Sequence, residues 1–444
     1  MTRNLRGQAT SLPTLIWLQF LTALVDWMLL VFLQVVVFRI TGSAFNIMLL
    51  VLCELVPMMI LGAWAGVIVD RARLRTVLFW SCAARLLVSG ALLLQPVRGE
   101  LGALYLIAAL GAACNRFYSP AACALLPRMV SGSALPRANA LNMGVRMAGM
   151  AAGTLLAGIL ASRFSHDVVA IMIGILLLLA GGCCVLLPDV VRHPSAESRR
   201  GIIADLREAV SLLGAALMVP LSASVLVALA LGSFEILALI YVSQVLGRSP
   251  DDVGMLFAAY GLGMLGGLLL SSWRGAMARY GMLMLGSLSL MCLSIWALAQ
   301  ANVVSEALIL VAMSGIAEGL VLSLSLLRLY TIVPNDFCAR AVALLDTATA
   351  AAFLLSVLAT GFVADILPAA TILEYTARGF SGLLLLGTCL SWAGRRSTSA
   401  TQWSERESAG RPAQAFSSNR GVEGSRAPAE QCSRENEGHQ LDRQ

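Results

Sequence analysis

The chain has 444 residues, 58% of them hydrophobic and 13% charged, with a mean hydropathy of +0.82. A soluble domain of this size is roughly one-quarter charged, so this much apolar surface cannot be hidden inside one globule and the bilayer is its natural solvent. The net charge of +6 comes entirely from arginine, since the sequence contains no lysine; a nucleic-acid partner would require the basic residues on a polar domain, whereas here they sit in short gaps between apolar runs.

A spanning helix needs about 20 mostly apolar residues. Runs of that kind fall at 12–38, 43–69, 76–94, 101–125, 138–161 and 167–187. Leu12–Phe38 is too long for a signal-peptide core and is followed by further spans, so it is expected to remain as the first helix. A polar stretch follows: Pro188–Arg200 is turn-rich, and Ile202–Leu213 reads as a short amphipathic helix with Asp205, Arg207 and Glu208 on its wet side. The apolar runs resume at 217–246, 252–272, 281–300, 303–327, 341–366 and 379–394. Beyond that, 396–444 is rich in Ser, Glu, Arg, Gly and Gln and is expected to be a disordered tail. The prediction is an all-α integral membrane protein of about twelve spans: a six-helix bundle over 1–187, a linker over 188–216 and a second six-helix bundle over 217–395.

Arginine placement sets the expected orientation, because loops on the cytoplasmic side are enriched in basic residues. With the N-terminus inside, the inner segments collect Arg3, Arg6, Arg71, Arg73, Arg75, Arg128 and Arg137 in the first half. The central stretch adds Arg192, Arg199, Arg200 and Arg207, and the later loops Arg274, Arg279, Arg328 and Arg340. The outer loops hold scattered residues, Arg39, Arg98, Arg163, Arg248 and Arg378. Both termini are therefore expected in the cytoplasm, as in a multi-pass protein of the bacterial plasma membrane. The halves also share a local repeat: Arg137-Ala138-Asn139-Ala140-Leu141 opens the fifth span and Arg340-Ala341-Val342-Ala343-Leu344 the eleventh. Matching positions in a six-plus-six plan support duplicated halves related by an axis along the membrane normal.

The loop after the second span reads Gly66-Val67-Ile68-Val69-Asp70-Arg71-Ala72-Arg73-Leu74-Arg75. Glycine allows close helix approach, an aspartate suits a helix N-terminus, and arginines suit acids or helix C-termini. This loop resembles the major facilitator motif GxxxDRxGRR in outline, with Arg73 where the family has glycine. The resemblance implies a two-bundle transporter fold and a cytoplasmic gate formed by Gly66, Asp70, Arg71 and Arg75 against the start of the eleventh helix, here Arg340 to Ala343, with Asp346 beside it. The segment Ser119-Pro120-Ala121-Ala122, Ala124-Leu125-Leu126-Pro127 and Leu135–Leu141 is similar to the bacterial efflux branch that includes the enterobactin exporter and macrolide-efflux proteins. Asp26 and Arg85 sit where that branch tends to carry such residues.

Charges inside apolar runs cost roughly 2.5–3.5 kcal/mol each on insertion scales, so each needs a reason. Asp26 lies in the first span, Arg116 in the fourth, Glu235 in the seventh and Glu318 in the tenth; in the resembled fold these four helices line the central cavity. Glu54, Arg85 and Arg146 add a further set in the N-terminal half. Two readings stand side by side: proton and substrate contacts along a pathway, or structural ion pairs such as Asp26–Arg85 and Glu54–Arg146. Asp251, Asp252, Glu306 and Asp365 fall at the outer edge, where solvation is the expected explanation. Glycines such as Gly261, Gly263, Gly266 and Gly267 read as helix packing, and Trp17, Trp64 and Trp80 as interface or packing residues.

Six cysteines (Cys53, Cys82, Cys114, Cys183, Cys292 and Cys389) lie in apolar runs without a CxxC pattern, as buried free thiols do. His166 and His193 are in loops and His439 in the tail, so no metal site is expected. No Gly-rich phosphate loop ending in Lys-Ser/Thr is present, which excludes ATP-driven transport by this chain alone. The expected function is a non-enzymatic secondary transporter: a proton-coupled antiporter exporting a small amphipathic molecule, without cofactor and monomeric. The alternatives are a symporting importer of the same fold or a transport-inactive sensor.

Overall fold

A computed structural model of the chain describes residues 2–94, 99–130, 134–188, 202–272, 278–333 and 335–385. The expected tail over 396–444 and most of the loop part of the linker, 189–201, lie outside the described residues. The first half consists of α1 (Thr2–Thr41), α2 (Ala44–Arg71), α3 (Leu74–Gly90), α4 (Leu101–Met129), α5 (Leu135–Arg163) and α6 (His166–Leu186). The second consists of α7 (Ile202–Ile240), α8 (Val253–Ser271), α9 (Tyr280–Gln300), α10 (Val304–Ile332), α11 (Asn335–Val363) and α12 (369–385). Eleven of these helices are long and apolar enough to cross a membrane among the described residues, α12 continuing to the edge of the described region.

Two boundaries differ from the hydropathy reading. The segment expected as a separate interfacial helix at 202–213 is continuous with the seventh span in α7. The last helix begins at 369 rather than 379. Its first turns are too polar for an apolar-run criterion, but Glu374 and Arg378 pair one turn apart at 3.2 Å, a spacing that supports a helix.

Helix pairing repeats between the halves. In the first, α1 packs on α5, α2 on α4 and α3 on α4; in the second, α7 packs on α11, α8 on α10 and α9 on α10. The two halves meet along α5–α8 and α2–α11. In an apolar solvent the hydrophobic effect does not pull helices together, so packing and interhelical hydrogen bonds must do it. Backbones accordingly approach closely at α8–α10, where a Cβ on Gly267 would come within 3.0 Å of Gly319 Cα and one on Gly319 within 3.1 Å of Leu268 N. Hydroxyl pairs stitch the second half: Ser294–Ser314 at 2.7 Å, Ser271–Ser323 at 2.6 Å and Ser233–Ser356 at 2.9 Å.

At the α5–α8 crossing between halves, Gly158 and Gly254 face each other. A Cβ on Gly158 would lie 3.2 Å from Gly254 Cα, and one on Gly254 3.0 Å from Gly158 Cα. Large apolar side chains face outward elsewhere, as a lipid-exposed surface requires; Trp17, Trp64 and Trp80 are 61%, 69% and 65% exposed. These three share the end of the molecule that carries the α2–α3 turn, which makes them belt residues rather than packing residues. That end is called proximal below; the end holding residues 42–43, 164–165 and 247–252 is distal.

Candidate functional site

In the first half, α1 and α3 bring Asp26 and Arg85 into an ion pair, with Arg85 only 4% exposed. Asn115 of α4 donates to the other Asp26 oxygen at 3.3 Å. One turn closer to the proximal end, Tyr118 donates to Gln19 Oε1 at 3.0 Å and Thr22 to Tyr118 Oη at 3.1 Å. Asp26 also lines a small cavity of about 80 Å³ with Asn115, Arg116 and Arg146. The Arg116 guanidinium lies against Gly62 of α2, where a Cβ would be 2.9 Å from Nη2. The expected Asp26–Arg85 pair is thus present, whereas Glu54 and Arg146 form none: Arg146 turns toward Asp26, and Glu54 faces the other half.

Glu54 lines a cavity of about 220 Å³ between the halves, together with Glu235 of α7 and Glu318 of α10. Its walls are apolar and aromatic, including Trp27, Met58, Phe257 and Phe353. Met58 borders both this cavity and the Asp26 pocket. Gln34 of α1, fully buried, donates to Glu235 Oε1 at 2.7 Å and so joins the halves. One Glu318 oxygen and the Tyr260 hydroxyl are buried without a hydrogen-bond partner among the described residues. Glu318 borders a further opening of about 300 Å³ lined by Asp346, Ser224 and Thr349. Asp346, expected at the gate, is exposed along this opening. The four charges expected to share one cavity therefore divide: Asp26 and Arg116 in a first-half pocket, Glu235 and Glu318 in the central one.

The distal end is held by two contacts between halves. Arg39 forms an ion pair with Asp251, which is 2% exposed and also accepts from Ser249 at 2.8 Å. Asp365 accepts from the Ala44 and Phe45 amides at 2.6 and 3.3 Å and from the Ser43 hydroxyl at 2.6 Å. The N-terminus of α2 is thereby capped by a residue of the other half, while the Ser43 side chain makes no cap of its own. Asp251 and Asp365 are therefore joints between the halves rather than merely solvated charges, which corrects the sequence expectation. Their counterparts are an arginine and a helix start more than two hundred residues away, which local sequence cannot reveal.

At the proximal end α2 stops at Arg71, and Arg73 takes φ −73°, ψ 118° before α3 begins. That conformation is ordinary for any L-residue, so the arginine in place of the family's glycine is accommodated without strain. Arg75 is half-buried in the first turn of α3. The side chains of Gly66, Asp70, Arg71 and Arg340 lie outside the described residues.

The sequence matches the family model of the Major Facilitator Superfamily over residues 15–247, more than half of the chain. The chain belongs to the major facilitator superfamily. It is accordingly a membrane transporter by family rather than an enzyme. Comparison with curated proteins gives no sequence match. Among solved structures, similar folds include a POT family transporter in complex with 5-aminolevulinic acid (TM-score 0.68, 9% identity, covering 86% of this chain and 96% of that one). Others are a nucleoside transporter (0.66, 12%, 84% and 97%) and a bacterial homologue of the human lysosomal transporter Spinster (0.61, 14%, 86% and 95%). In this superfamily member, the polar groups that sequence reading passed over are neutral amides and hydroxyls inside apolar runs: Gln19, Gln34, Asn115 and Tyr118. Each is an isolated polar side chain in a span, a weaker signal than a charge because a neutral amide or hydroxyl costs less to bury.

Proposed function

We propose that this major facilitator protein is a proton-coupled exporter of a small amphipathic molecule, working by alternating access with both termini in the cytoplasm of a bacterium. The observation that carries the reading is the convergence of Glu54, Glu235 and Glu318, from both halves, on one cavity between them. Glu235 accepts from Gln34 across that boundary. A hydrogen bond to an ionised carboxylate is roughly twice as strong as a neutral one. Protonation of Glu235 therefore loosens a contact between halves, and deprotonation tightens it, which ties the proton to the rocking of the bundles. Export rather than import rests on the likeness of the fourth-to-fifth segment to the efflux branch.

The test is purified protein in liposomes with an imposed pH gradient, assayed against a panel of drugs and siderophores. Gradient-driven movement is expected for wild type and lost in Glu235→Gln and Glu318→Gln, while exchange of substrate without a gradient persists. Gradient-independent movement in wild type, or equal gradient-driven movement in both variants, sinks the coupling. Accumulation on the cytoplasmic side would make the protein an importer.

A further inference from the structure

A groove of about 430 Å³ runs between α7, α11 and α12 and shares no lining residue with the central cavity. Small residues hollow it out: Ala230 and Ser233 of α7, Ser356 and Ala359 of α11, and Gly379 of α12, whose Cβ position has nothing within 4 Å. Its edges are large apolar side chains turned outward, with Leu355 63%, Tyr375 59% and Leu383 48% exposed. On a spanning helix such side chains face lipid tails, so the groove opens to the bilayer and not to water.

The fold itself does not require this groove. In the first half the matching helix α6 packs directly on α1, burying Val169, Ile173 and Leu177 and setting His166 against Phe32 at 5.6 Å between ring centroids. In the second half α12 is fastened to α9: Cys292 Sγ lies 2.8 Å from Ser381 Oγ, and Gln300 donates to Glu374 at 2.9 Å. The place that α6 fills beside α1 is thus open beside α7.

Three features define the occupant. The hydroxyls inside are already bonded: Ser356 donates to the Leu229 carbonyl, Ser233 and Ser356 lie 2.9 Å apart, Thr360 donates to Ser233 at 3.0 Å and Thr376 to the Ile372 carbonyl at 2.9 Å. A polar occupant gains nothing there, and an empty apolar groove forfeits the dispersion contacts of its walls. The length is that of one leaflet: Tyr375 to Leu383 on α12, and Val363 to Leu355 on α11, each rise about 12 Å, against about 15 Å for half of a hydrocarbon core. The outer end lies at the distal interface, where Glu374 meets the last residue of α9 and the Arg378 guanidinium stands 5.9 Å from the Tyr375 ring. Tyrosine is enriched at that level, beside lipid headgroups.

We propose that the groove holds one acyl chain of a phospholipid of the distal leaflet, which gives α7 the packing that α1 obtains from α6. Because α7 and α11 lead to Glu235 and Asp365, the chain braces the helices that reach across to the other half.

The test is photolabelling of the full-length protein in vesicles of phosphatidylethanolamine and phosphatidylglycerol, doped with a phosphatidylcholine that carries a diazirine midway along one acyl chain. Adducts located by mass spectrometry should concentrate on Leu355 and Leu383 over Leu178 and Leu179 of α6, which are also exposed but lie outside the groove. Gly379→Leu places a side chain in open space within the groove, and displacing two methylenes of the lipid chain should lower groove labelling by about tenfold. Gly182→Leu, equally unobstructed on α6, should leave it unchanged. Ala359→Leu repeats the prediction where Gly379→Leu folds poorly. Delipidation in detergent should lower the melting temperature of wild type more than that of Gly379→Leu. Groove labelling no higher than on α6, equal groove labelling in wild type and both filling variants, or an equal fall in melting temperature overturns the proposal. A dimer seen by light scattering that Gly379→Leu dissolves would assign the groove to a second copy and overturn it as well.

Discussion

Removing Asp365 should weaken the distal closure in a way that can be sized. Its carboxylate accepts from two amides at the start of α2 and from the Ser43 hydroxyl, all in the other half. Replacing a helix cap by alanine costs typically ~1 kcal/mol, and the loss of a negative charge at a helix N-terminus adds a few tenths at an exposed position. Asp365→Ala should thus disfavour the distal-closed state by about 1 kcal/mol, roughly fivefold in the ratio of closed to open molecules. Asp365→Asn, which keeps an acceptor but not the charge, should give a smaller shift. The assay is electron–electron distance measurement between spin labels on cysteines placed at Ser165 and Asn302, in a background without native cysteines. A longer-distance population should grow in Asp365→Ala. An unchanged distance distribution, in protein that still folds, would refute the idea that this cap holds the end shut.

Three further outcomes follow from the packing. Arg85→Gln strands Asp26, and breaking a buried pair costs about 3–5 kcal/mol; because Asp26 is 31% exposed the lower end is expected. The double variant with Asp26→Asn should recover most of the lost melting temperature, and failure to recover would mean that Arg85 acts through something other than the pair. Gly267→Val drives a side chain into the backbone of α10, and overpacking of this sort costs about 1–3 kcal/mol, measurable as a lower melting temperature in detergent, whereas Gly286→Ala, with nothing near its Cβ position, should leave it unchanged. Gln34→Leu removes the bond to Glu235 that crosses the halves and should alter the gradient dependence of transport more than its melting temperature; the reverse order would assign Gln34 a purely structural role.

Much of the architecture could be read from hydropathy, because a bilayer requires every spanning segment to declare itself as a run of about 20 apolar residues. Span positions hold within a few residues for α1 to α11; α12 escapes because Glu374 and Arg378 make its first turns polar while still favouring a helix. The unusual cost of intramembrane charge also made Asp26, Glu54, Glu235 and Glu318 stand out. What periodicity cannot supply is who faces whom. Glu54 and Arg146 look like partners on a linear reading, yet the rotation of α2 and α5 about their axes sends one to the central cavity and the other to Asp26. Distal joints such as Arg39–Asp251 escape notice for the same reason, since charged residues at span ends are normally solvated and nothing local marks these two as meeting.

The Gly158–Gly254 crossing has a mechanical consequence. Two helices that touch there backbone to backbone have no interlocking side chains at that point, so they meet as a bearing rather than as a gear. Gly158 stands 23 residues beyond the start of α5 at Leu135, or about 35 Å along a helix at 1.5 Å per residue. With that lever arm, a tilt of about 10° at the bearing moves the proximal tip of the helix by about 6 Å. A rotation small enough to leave the distal packing nearly undisturbed thus shifts the proximal end of α5, which also rests on α8 at Ala151 and Gly261, by the thickness of a side chain.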